Sequence, residues 1–418
     1  MIKLSKIIIK GGKPLNGEVR ISGSKNSALP IMAACILSGE KCTIKDIPCI
    51  SDVYNMSELL NCINIQTKFY NNTMEINAAD VKWDSSCCEV VNRLRASFLV
   101  FGPLLAKTGR AKIALPGGCA IGARPIDLHI KGLTLMGAKI QQKNGFVEAK
   151  CKKLVGTNVY LDFPSVGATE NLMMAASLAD GKTVIENAAT EPEIVDLANF
   201  INKMGGKISG AGTDKIEITG VETLKGCQYR IIPDRIEAGT FITAAAITSG
   251  SVIISNINTD HLRPVIAKLT ECGVSITEQN NSISVTCPKR IVSKDIKTLP
   301  FPGFPTDMQG LFCSLMAVAD GTSMIIETIF ENRFMHTPEL KKMGANIKID
   351  GRTAVIEGVG KLNGAKVSST DLRAGGALVV AGLCANGETE IDNSFYIERG
   401  YENFAEKLAK LGADILTI

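Results

Sequence analysis

The sequence has 418 residues, of which 45% are hydrophobic and 21% are charged. These proportions support a large packed core and exclude an intrinsically disordered chain. The length suits two domains, and the formal net charge of +4, with no basic tract, gives no indication of a nucleic-acid partner.

The cysteines and histidines show no pattern typical of a metal site. The 13 cysteines are scattered without a Cys-x-x-Cys pair, and there are only three histidines. We therefore expect no metal, and we interpret the thiols as small buried hydrophobic residues in a reducing compartment. The first residues lack the pattern of a signal peptide and no apolar run reaches membrane-spanning length, so we expect a cytoplasmic protein without a membrane partner. No feature predicts an obligate protein partner.

An internal repeat follows an N-terminal strand predicted at residues 7–9. A glycine stands between a helix-like apolar run and a strand-like run about every 70 residues, at Gly39, Gly109, Gly181, Gly250, Gly321 and Gly387. Between these positions an amphipathic helix pattern ends in glycine before a β-branched strand, as in Met-Gly-Ala-Lys-Ile at 136–140 and Leu-Gly-Ala-Asp-Ile at 411–415. The first repeat carries a degenerate copy, Asn-Cys-Ile-Asn-Ile, at 61–65. Glycine is a common C-terminal stop of helices, so each copy predicts a helix that ends and passes directly into a strand.

Six copies of one α/β unit explain this repeat. Several units begin with a helix that is apolar all round, at 28–37, 172–178 and 241–247, and such helices are normally buried. We therefore predict an α/β fold with helices inside and sheets outside, three units to a domain. The seam near 230–233 gives a first domain of residues 22–232 and a second of residues 1–21 with 233–418, which receives the N-terminal strand. A solenoid of six stacked units is the alternative, although solenoid units are usually shorter.

The segment Pro-Gly-Gly-Cys-Ala-Ile-Gly-Ala-Arg-Pro at 116–125 is the most informative functional signal. Its glycines permit close approach of the backbone to a ligand, as in a mobile loop that closes over a substrate. Arg124 is placed to favour the thiolate of Cys119 and to hold an anion. The alternative is a glycine-rich turn that contains a structural cysteine.

Three other segments of the first half place cationic or polar residues where helices begin. Ile-Ser-Gly-Ser-Lys-Asn at 21–26 sets Lys25 beside a predicted helix N-terminus, which is a favourable place for an anion. Arg-Leu-Arg-Ala-Ser at 93–97 opens another helix, and Ser165 and Gly167 precede a third, where they would supply donors to a phosphate. The alternative for the first two segments is an ordinary capped helix with a surface charge.

The second half supplies a carboxylate and three arginines. Phe-Pro-Thr-Asp-Met-Gln at 304–309 sets Asp307 at a helix start, where it is either a helix cap or a general base for a substrate hydroxyl. Arg333, Arg373 and Arg399 stand in comparable places near predicted turns. They are either surface ion pairs or, with the basic residues of the first half, parts of a cationic cleft for a compact, multiply charged anion.

As a set, these motifs closely resemble those of the UDP-N-acetylglucosamine 1-carboxyvinyltransferases, a family of enolpyruvyl transferases, over essentially the whole chain. The resemblance rests on Gly-Ser-Lys-Asn, Leu-Pro-Gly-Gly-Cys-x-Ile-Gly-Ala-Arg-Pro-x-Asp-Leu-His, Phe-Pro-Thr-Asp-Met-Gln and Glu-Asn-Arg-Phe. It implies two inside-out α/β barrel domains with threefold pseudo-symmetry. It also implies transfer of the enolpyruvyl group of phosphoenolpyruvate to the 3′-hydroxyl of UDP-N-acetylglucosamine, with release of phosphate, as the first committed step of peptidoglycan synthesis. The implied substrates are these two small molecules, and no cofactor is needed.

The resemblance assigns roles to individual residues. It implies that Cys119 is a proton donor that can form a covalent adduct with phosphoenolpyruvate, and that Asp307 is the base for the sugar hydroxyl. Lys25, Arg124 and Arg399 match the residues that hold phosphoenolpyruvate. The remaining expected substrate contacts are Asn26, Arg95, Pro125, Ile126, Asp127, Leu128, Ser165, Val166, Gly167, Ile329, Arg333, Asp371 and Arg373, of which Asp371 and Arg373 match a pair near the reacting centre.

One position departs from the family pattern, and three alternative functions stay open. Some members carry a lysine two residues before the serine of the Ser-Val-Gly motif, where this chain has Phe163, so weaker or rearranged UDP binding is expected. The shikimate-pathway enolpyruvyl transferase is one alternative, although it lacks the Gly-Gly-Cys loop. A catalytically silent UDP-sugar-binding regulator is the second, and phosphate release with both substrates would separate it from an enzyme. A redox sensor that uses Cys119 is the third, although no resolving cysteine is evident nearby.

Overall fold

A computed structural model describes residues 5–82, 97–115, 126–287 and 290–418. The chain forms two compact units. We call the described part of residues 23–232 the N-unit, and the described part of residues 5–22 and 233–418 the C-unit. Each unit has a hydrophobic core of its own.

Short strands recur along both units, most of them five residues long. In chain order the strands among the described residues are β1 (Lys6–Lys10), β2 (Asn16–Arg20), β3 (Lys41–Lys45), β4 (Gln66–Tyr70), β5 (Thr73–Asn77), β6 (Arg110–Ala114), β7 (Lys139–Lys143), β8 (Phe146–Lys150), β9 (Asn158–Tyr160), β10 (Lys182–Glu186), β11 (Lys207–Ser209), β12 (Lys215–Thr219), β13 (Gln228–Arg230), β14 (Ser251–Ser255), β15 (Ser275–Gln279), β16 (Ser282–Thr286), β17 (Ile296–Lys297), β18 (Thr322–Ile326), β19 (Asn346–Asp350), β20 (Thr353–Glu357), β21 (Lys366–Ser368), β22 (Glu388–Asp392) and β23 (Asp414–Thr417).

Helices alternate with these strands. In chain order the α-helices among the described residues are α1 (Lys25–Ala34), α2 (Ser51–Cys62), α3 (Phe101–Thr108), α4 (Asp127–Leu135), α5 (Val166–Ala176), α6 (Pro192–Lys203), α7 (Arg235–Ile247), α8 (Arg263–Glu271), α9 (Gln309–Met316), α10 (Thr337–Lys342), α11 (Leu372–Cys384) and α12 (Phe404–Lys410). Short 3-10 helices cover Cys35–Leu37, Ser97–Val100, Thr259–Leu262, Thr306–Met308 and Ser394–Arg399.

The described residues form six small sheets, three in each unit. In the N-unit the strand orders are β13-β3-β5-β4, β6-β8-β7 and β11-β12-β10-β9. In the C-unit they are β15-β16-β14-β2, β17-β18-β20-β19 and β21-β22-β1-β23. Parallel and antiparallel pairs occur in the same sheet: β10 pairs in parallel with β9 and antiparallel with β12. Each of the other sheets but one likewise contains a parallel pair, whereas the described strands of β6-β8-β7 pair only antiparallel. Helices alternate with these strands along the chain, and the predicted α/β class is confirmed.

The N-terminal strand predicted at residues 7–9 is present as β1. It pairs antiparallel with β22 and β23, and Ile9 lies opposite both Thr389 and Ile415. Alternate residues of β1 are buried, with Ile7 and Ile9 directed into the core of the C-unit. Through β1, the N-terminal segment is therefore part of the same sheet as β22 and β23.

The helices that are apolar all round are buried, as predicted. Residues 27–34 of α1, 168–176 of α5 and 236–247 of α7 are all buried. A helix without a polar face gains free energy only if it is covered on every side. The flanking helices behave differently, since α4 and α8 bury only some of their residues.

The repeated glycines end helices as the sequence indicates. Gly137, Gly205, Gly273, Gly344 and Gly412 all have positive φ angles, between 93° and 101°. Side chains with a Cβ rarely adopt this backbone conformation, which explains the repeated glycine. In the first copy the residue in this place is Asn64, with φ 65°, because the helix Ser51–Cys62 still includes Cys62. The alignment of 61–65 with the other copies, which sets Cys62 at the glycine position, is therefore two residues too early.

The fourth copy of the other glycine signal differs from the rest. There Ser249, with φ 53°, holds the left-handed conformation, and Gly250 does not. A Cβ at Gly250 would lie 2.2 Å from the carbonyl oxygen of Leu15, so glycine is needed there for the close approach of the segment before β2.

The ten described cysteines are free thiols. Five are buried, but Cys49 is exposed and its sulfur lies 3.1 Å from the hydroxyl oxygen of Tyr54. The expectation that the thiols are buried is therefore wrong at Cys49, because its side chain alone faces solvent in the segment before α2, where Pro48 and Ile50 on either side are buried. Cys87, Cys88 and Cys119 lie outside the described residues. Within the described ranges, no helix is long and apolar enough to cross a membrane.

Candidate active site

Asp307 lies between two arginines in the C-unit. Its Oδ1 accepts a hydrogen bond from Arg333 Nη2 at 2.7 Å, and its Oδ2 accepts one from Arg373 Nη2 at 2.8 Å. The arginine side chains are only 5% and 9% exposed, whereas that of Asp307 is 26% exposed. The structure thus brings three of the predicted residues together, and the alternative of surface ion pairs is wrong for Arg333 and Arg373. We call these three residues the Asp307 cluster.

Local structure sets the position of each member. Asp307 lies in the 3-10 helix that precedes α9, and neither of these helices has a side-chain cap, so Asp307 is not a helix cap. Asp371 is the N-cap of α11, and its Oδ1 accepts hydrogen bonds from the backbone N–H of Arg373 at 2.8 Å and of Ala374 at 3.2 Å. The expected pair of Asp371 and Arg373 is therefore a helix cap, and the ionic partner of Arg373 is Asp307.

The charges of the cluster change its acid–base chemistry. Burial by itself would raise the pKa of the Asp307 carboxyl, but the charges of Arg373 and Arg333 outweigh burial and hold that pKa well below its ordinary value. Burial likewise opposes the charged form of Arg373, but Asp307 more than offsets it and raises the pKa of the guanidinium. A general base works best when its pKa is near the working pH. In this arrangement Asp307 is a strong partner for cations and a weak base.

Two other predicted C-unit residues lie on neighbouring segments. Ile329 follows β18, and its backbone N–H donates to Glu327 Oε1 at 2.8 Å. Arg399 is the half-buried last residue of the 3-10 helix Ser394–Arg399. That helix packs closely on α11. Gly375 of α11 has no side chain, and a Cβ there would lie only 2.5 Å from Cγ1 of Ile397. The helix that carries Arg373 therefore also supports the segment that carries Arg399.

In the N-unit, Lys25 is the first residue of α1. Ser24 is the N-cap, and its Oγ accepts a hydrogen bond from the backbone N–H of Ser27 at 3.3 Å. Lys25 Nζ lies 2.7 Å from Asp52 Oδ2, and the two side chains are only 13% and 3% exposed. The alternative of a surface lysine is therefore wrong, although the serine cap is present. Asn26 is the next residue of the helix and is half-buried.

The starts of α4 and α5 lie side by side. Ser165 is the N-cap of α5, with Val166 and Gly167 in its first turn, and all three are half-buried. A Cβ at Gly167 would lie 3.5 Å from the Cε1 atom of His129, which belongs to α4. His129 Nδ1 in turn accepts a hydrogen bond from Asn171 Nδ2 of α5 at 3.1 Å.

This contact brings two sets of predicted residues together. The first set comprises the half-buried Ile126, the exposed Asp127 and the buried Leu128 at the start of α4. The second comprises the three residues at the start of α5. Both sets therefore lie at helix N-termini, where backbone N–H groups are available to an anion.

Phe163, the residue that departs from the family pattern, is 46% exposed. The adjacent Asp162 forms an ion pair with Lys131 of α4, with Nζ and Oδ2 2.7 Å apart. A lysine from α4 thus reaches the segment before α5 although position 163 carries no charge.

Four predicted residues lie outside the described part of the chain: Arg95, Cys119, Arg124 and Pro125. Their roles stay predictions. Among the residues that the structure does describe, no group of three or more His, Cys, Asp or Glu is arranged to hold a metal ion.

Several polar residues near these elements were missed by reasoning from the sequence. Asp52 and Glu327 are buried carboxylates that contact Lys25 and Ile329, and His129 joins α4 to α5. Burial lowers the pKa of His129 to about 4, so its imidazole is neutral near pH 7. Of these three residues only His129 belongs to a motif seen in the sequence, Asp-Leu-His at 127–129, and that motif did not indicate a role for it.

Comparison with known proteins decides the family. The sequence profile described as EPSP synthase (3-phosphoshikimate 1-carboxyvinyltransferase) matches residues 9–408. UDP-N-acetylglucosamine 1-carboxyvinyltransferase 1 of Caldanaerobacter subterraneus subsp. tengcongensis is 59% identical over 411 residues, which cover 98% of this chain and 99% of that protein. The chain belongs to the UDP-N-acetylglucosamine 1-carboxyvinyltransferase family. The resemblance seen in the sequence motifs is thereby confirmed.

Other relatives agree with this assignment, and two solved structures share the fold. UDP-N-acetylglucosamine 1-carboxyvinyltransferase 2 of Carboxydothermus hydrogenoformans is 55% identical over 99% of each chain, and the protein of that name from Clostridium tetani is 55% identical over 99% of this chain and 100% of its own. The crystal structure of the enolpyruvyl transferase NikO from Streptomyces tendae superposes with a TM-score of 0.89 at 23% identity, covering 99% of both chains. EPSP synthase from Acinetobacter baumannii gives 0.78 at 19% identity over the full length of both chains. At these identities the two structures show a shared fold.

Proposed function

We propose that this protein transfers the enolpyruvyl group of phosphoenolpyruvate to the 3′-hydroxyl of UDP-N-acetylglucosamine and releases phosphate, the first committed step of peptidoglycan synthesis. The observation that carries the proposal is the identity of 55% to 59%, over nearly the whole chain, to relatives that bear the name of this transferase. The charges of the described site support it. Both substrates are anions, and buried arginines and a lysine at a helix N-terminus are the groups that hold phosphates and carboxylates.

In this proposal Asp307 takes the proton of the sugar hydroxyl. Its low pKa has a specific cause, which is the pair of guanidinium groups on its two oxygens. An anionic substrate that draws Arg333 or Arg373 toward itself would remove part of this stabilisation. The pKa of Asp307 would then rise toward its ordinary value and the carboxylate would become a better base. Substrate binding and activation of the base are therefore coupled through the arginines.

The reaction consists of an addition followed by an elimination. In the addition, the sugar 3′-oxygen bonds to C2 of phosphoenolpyruvate while Cys119 gives a proton to C3. In the elimination, a proton leaves C3, the bond between C2 and the phosphate oxygen breaks, and the double bond is restored as phosphate departs. Lys25, Arg124 and Arg399 are assigned to phosphoenolpyruvate, since cations that hold the phosphate also stabilise it as it leaves. Cys119 is also assigned the covalent adduct with this substrate.

The UDP-sugar is assigned to helix starts in the N-unit and to residues close to Asp307. The juxtaposed N-termini of α4 and α5 support this part of the proposal, because backbone N–H groups there favour a diphosphate. The proposed contacts are Asn26, Arg95, Arg124, Pro125, Ile126, Asp127, Leu128, Ser165, Val166, Gly167, Asp307 and Ile329. Asp371 and Arg373 are assigned to the neighbourhood of the reacting carbon. Phe163 cannot provide an ionic contact, so binding of the diphosphate depends more heavily on the helix starts.

The finer architecture is part of the same proposal. Three small sheets and three largely buried helices in each unit, α1, α3 and α5 in one and α7, α9 and α11 in the other, are what an inside-out α/β barrel with threefold pseudo-symmetry requires. We assign residues 22–232 to the domain that carries the Cys119 loop, and residues 1–21 with 233–418 to the domain that carries Asp307. A cytoplasmic location is proposed as well.

A phosphate-release assay tests the function. The wild type should release phosphate only when phosphoenolpyruvate and UDP-N-acetylglucosamine are both present. Replacing the UDP-sugar with shikimate 3-phosphate is the control for the related EPSP synthase activity. Release with shikimate 3-phosphate in place of the UDP-sugar, or no release with the proposed pair, would contradict the proposal.

A further inference from the structure

We infer that Glu327 is a positioning residue that holds the Asp307 turn and the Ile329 loop in one fixed arrangement. The inference rests on the proposed function, because it concerns the geometry of the base assigned to that reaction. Glu327 follows β18 directly and is only 1% exposed. Within the described residues it forms no ion pair, so a buried carboxylate is retained here without a cationic partner.

Four hydrogen bonds converge on this carboxylate. Oε1 accepts from Thr298 Oγ1 at 2.9 Å and from the backbone N–H groups of Ile329 at 2.8 Å and Phe330 at 3.1 Å. Oε2 accepts from Thr306 Oγ1 at 2.9 Å. A buried carboxylate is tolerated only when hydrogen bonds replace its lost hydration, and here both oxygens are occupied.

The two oxygens serve two different parts of the site. Oε1 fixes the loop that begins at Ile329 and leads to Arg333, whereas Oε2 fixes Thr306, whose neighbour in the 3-10 helix is Asp307. The carboxylate therefore connects the segment that carries the base to the segment that carries one of its arginines. The hydrogen bond of 2.7 Å between Arg333 and Asp307 connects the same two segments at a second point.

Glu327 is itself anchored. Thr298 is buried, and its Oγ1 accepts a hydrogen bond from the backbone N–H of Thr328 at 2.9 Å while its carbonyl accepts one from Thr328 Oγ1 at 2.5 Å. The Thr298 backbone N–H donates to the carbonyl of Ile326 at 2.9 Å, next to the parallel pairing of β17 with β18. Glu327 is thus anchored through Thr298, which directly follows β17 at the edge of the sheet.

The chemistry explains why this linkage matters for catalysis. A base must lie within hydrogen-bond reach of the hydroxyl that it deprotonates, and a displacement of about 1 Å can lower the rate about 100-fold. A residue that only stabilised the fold would change the melting temperature without changing kcat at a temperature where the protein is folded. A positioning residue changes kcat more than it changes KM for phosphoenolpyruvate, which is assigned to other side chains.

Two pairs of variants test the inference in the phosphate-release assay. Thr306→Val removes the hydroxyl that donates to Glu327 and keeps the shape, whereas Thr306→Ser keeps the hydroxyl. Glu327→Leu removes both acceptors, whereas Glu327→Gln keeps one carbonyl acceptor. We expect kcat to fall about 100-fold for Glu327→Leu and about 10-fold for Thr306→Val, and to stay within about threefold of the wild type for Thr306→Ser and Glu327→Gln. The variant with both Thr306→Val and Glu327→Leu should be no slower than Glu327→Leu alone, because one bond accounts for the shared effect.

Several results would overturn the inference. Equal kcat values for Thr306→Val and Thr306→Ser, or losses that multiply in the double variant, would show that Thr306 does not act through Glu327. A lower melting temperature for Glu327→Leu with unchanged kcat would reduce Glu327 to a structural residue. Crystal structures of the two single variants give a readout independent of turnover. The distance between Arg333 and Asp307 should be unchanged in Glu327→Gln and longer in Thr306→Val. If the wild type releases no phosphate, the proposed function fails, and this structural comparison alone decides the positioning role.

Discussion

Replacing Glu237 with glutamine should change how the stability of this protein depends on pH. Glu237 lies in the first turn of α7 with its side chain only 3% exposed. Its Oε1 accepts a hydrogen bond from Lys407 Nζ at 2.5 Å, and its Oε2 accepts one from the backbone N–H of Ser22 at 2.9 Å. Burial is the largest influence and raises the pKa of the carboxyl to about 7, although the charge of Lys407 opposes it and Asp234 adds to it.

The direction of the effect follows from the two protonation states. In the unfolded chain the carboxyl has its ordinary pKa of 4.5, so between 4.5 and about 7 the folded protein retains a proton that the unfolded chain has lost. Binding of that proton favours the folded state at low pH, and the contribution is lost as the pH rises through about 7. The interval from 4.5 to about 7, at about 1.4 kcal/mol for each pH unit, corresponds to about 3 kcal/mol.

Urea unfolding followed by far-UV circular dichroism, at several pH values from 5 to 8.5, would measure this difference. Other groups also titrate, including His129 and His336, for which burial lowers the pKa to about 4, but they contribute equally to wild type and variant. We expect the free energy of unfolding of the wild type, minus that of Glu237→Gln, to be larger at pH 5 than at pH 8.5 by about 3 kcal/mol. Glu406→Gln, on the exposed face of α12, is the control and should leave the profile unchanged. A difference that is constant with pH, or that grows as the pH rises, would refute the reasoning.

Four further predictions concern the site. Cys119→Ala should sharply reduce phosphate release while the melting temperature is retained; wild-type turnover would exclude the acid role. Asp307→Ala should lower kcat by about 100- to 10,000-fold, and a small effect in steady-state assays would exclude its role as base. An epoxide that mimics phosphoenolpyruvate should alkylate Cys119 in preference to the other 12 cysteines, and faster with the UDP-sugar bound; even labelling in mass spectrometry would contradict the loop assignment. Phe163→Lys should lower KM for UDP-N-acetylglucosamine by about threefold with kcat unchanged, because an exposed ionic contact contributes little, and an unchanged KM would show that position 163 does not contact the diphosphate.

The repeat and the burial of its helices were predictable from the sequence. Helix-ending glycines and uniformly apolar helices are local properties, because backbone conformation and side-chain hydrophobicity act over a few residues. The strand at the N-terminus was also predictable, because three consecutive isoleucines favour a strand, and Ile7 and Ile9 are the buried positions in it. The glycine signal was misleading in the fourth repeat, because there Ser249 holds the left-handed conformation and Gly250 allows the close approach of Leu15.

The fold class, the repeat and the set of candidate site residues could all be predicted from the amino-acid sequence. Which of those residues act together became clear from the packing of distant segments. Asp307 meets Arg333 and Arg373 across 26 and 66 residues of chain, and Glu327, which no sequence motif indicated, joins the segments of Asp307 and Arg333. Contacts of this kind depend on how distant segments pack, and so do the pKa values that follow from burial and neighbouring charge. Periodicity can show that a helix is buried, but it does not carry information about which side chain will lie at the start of its neighbour.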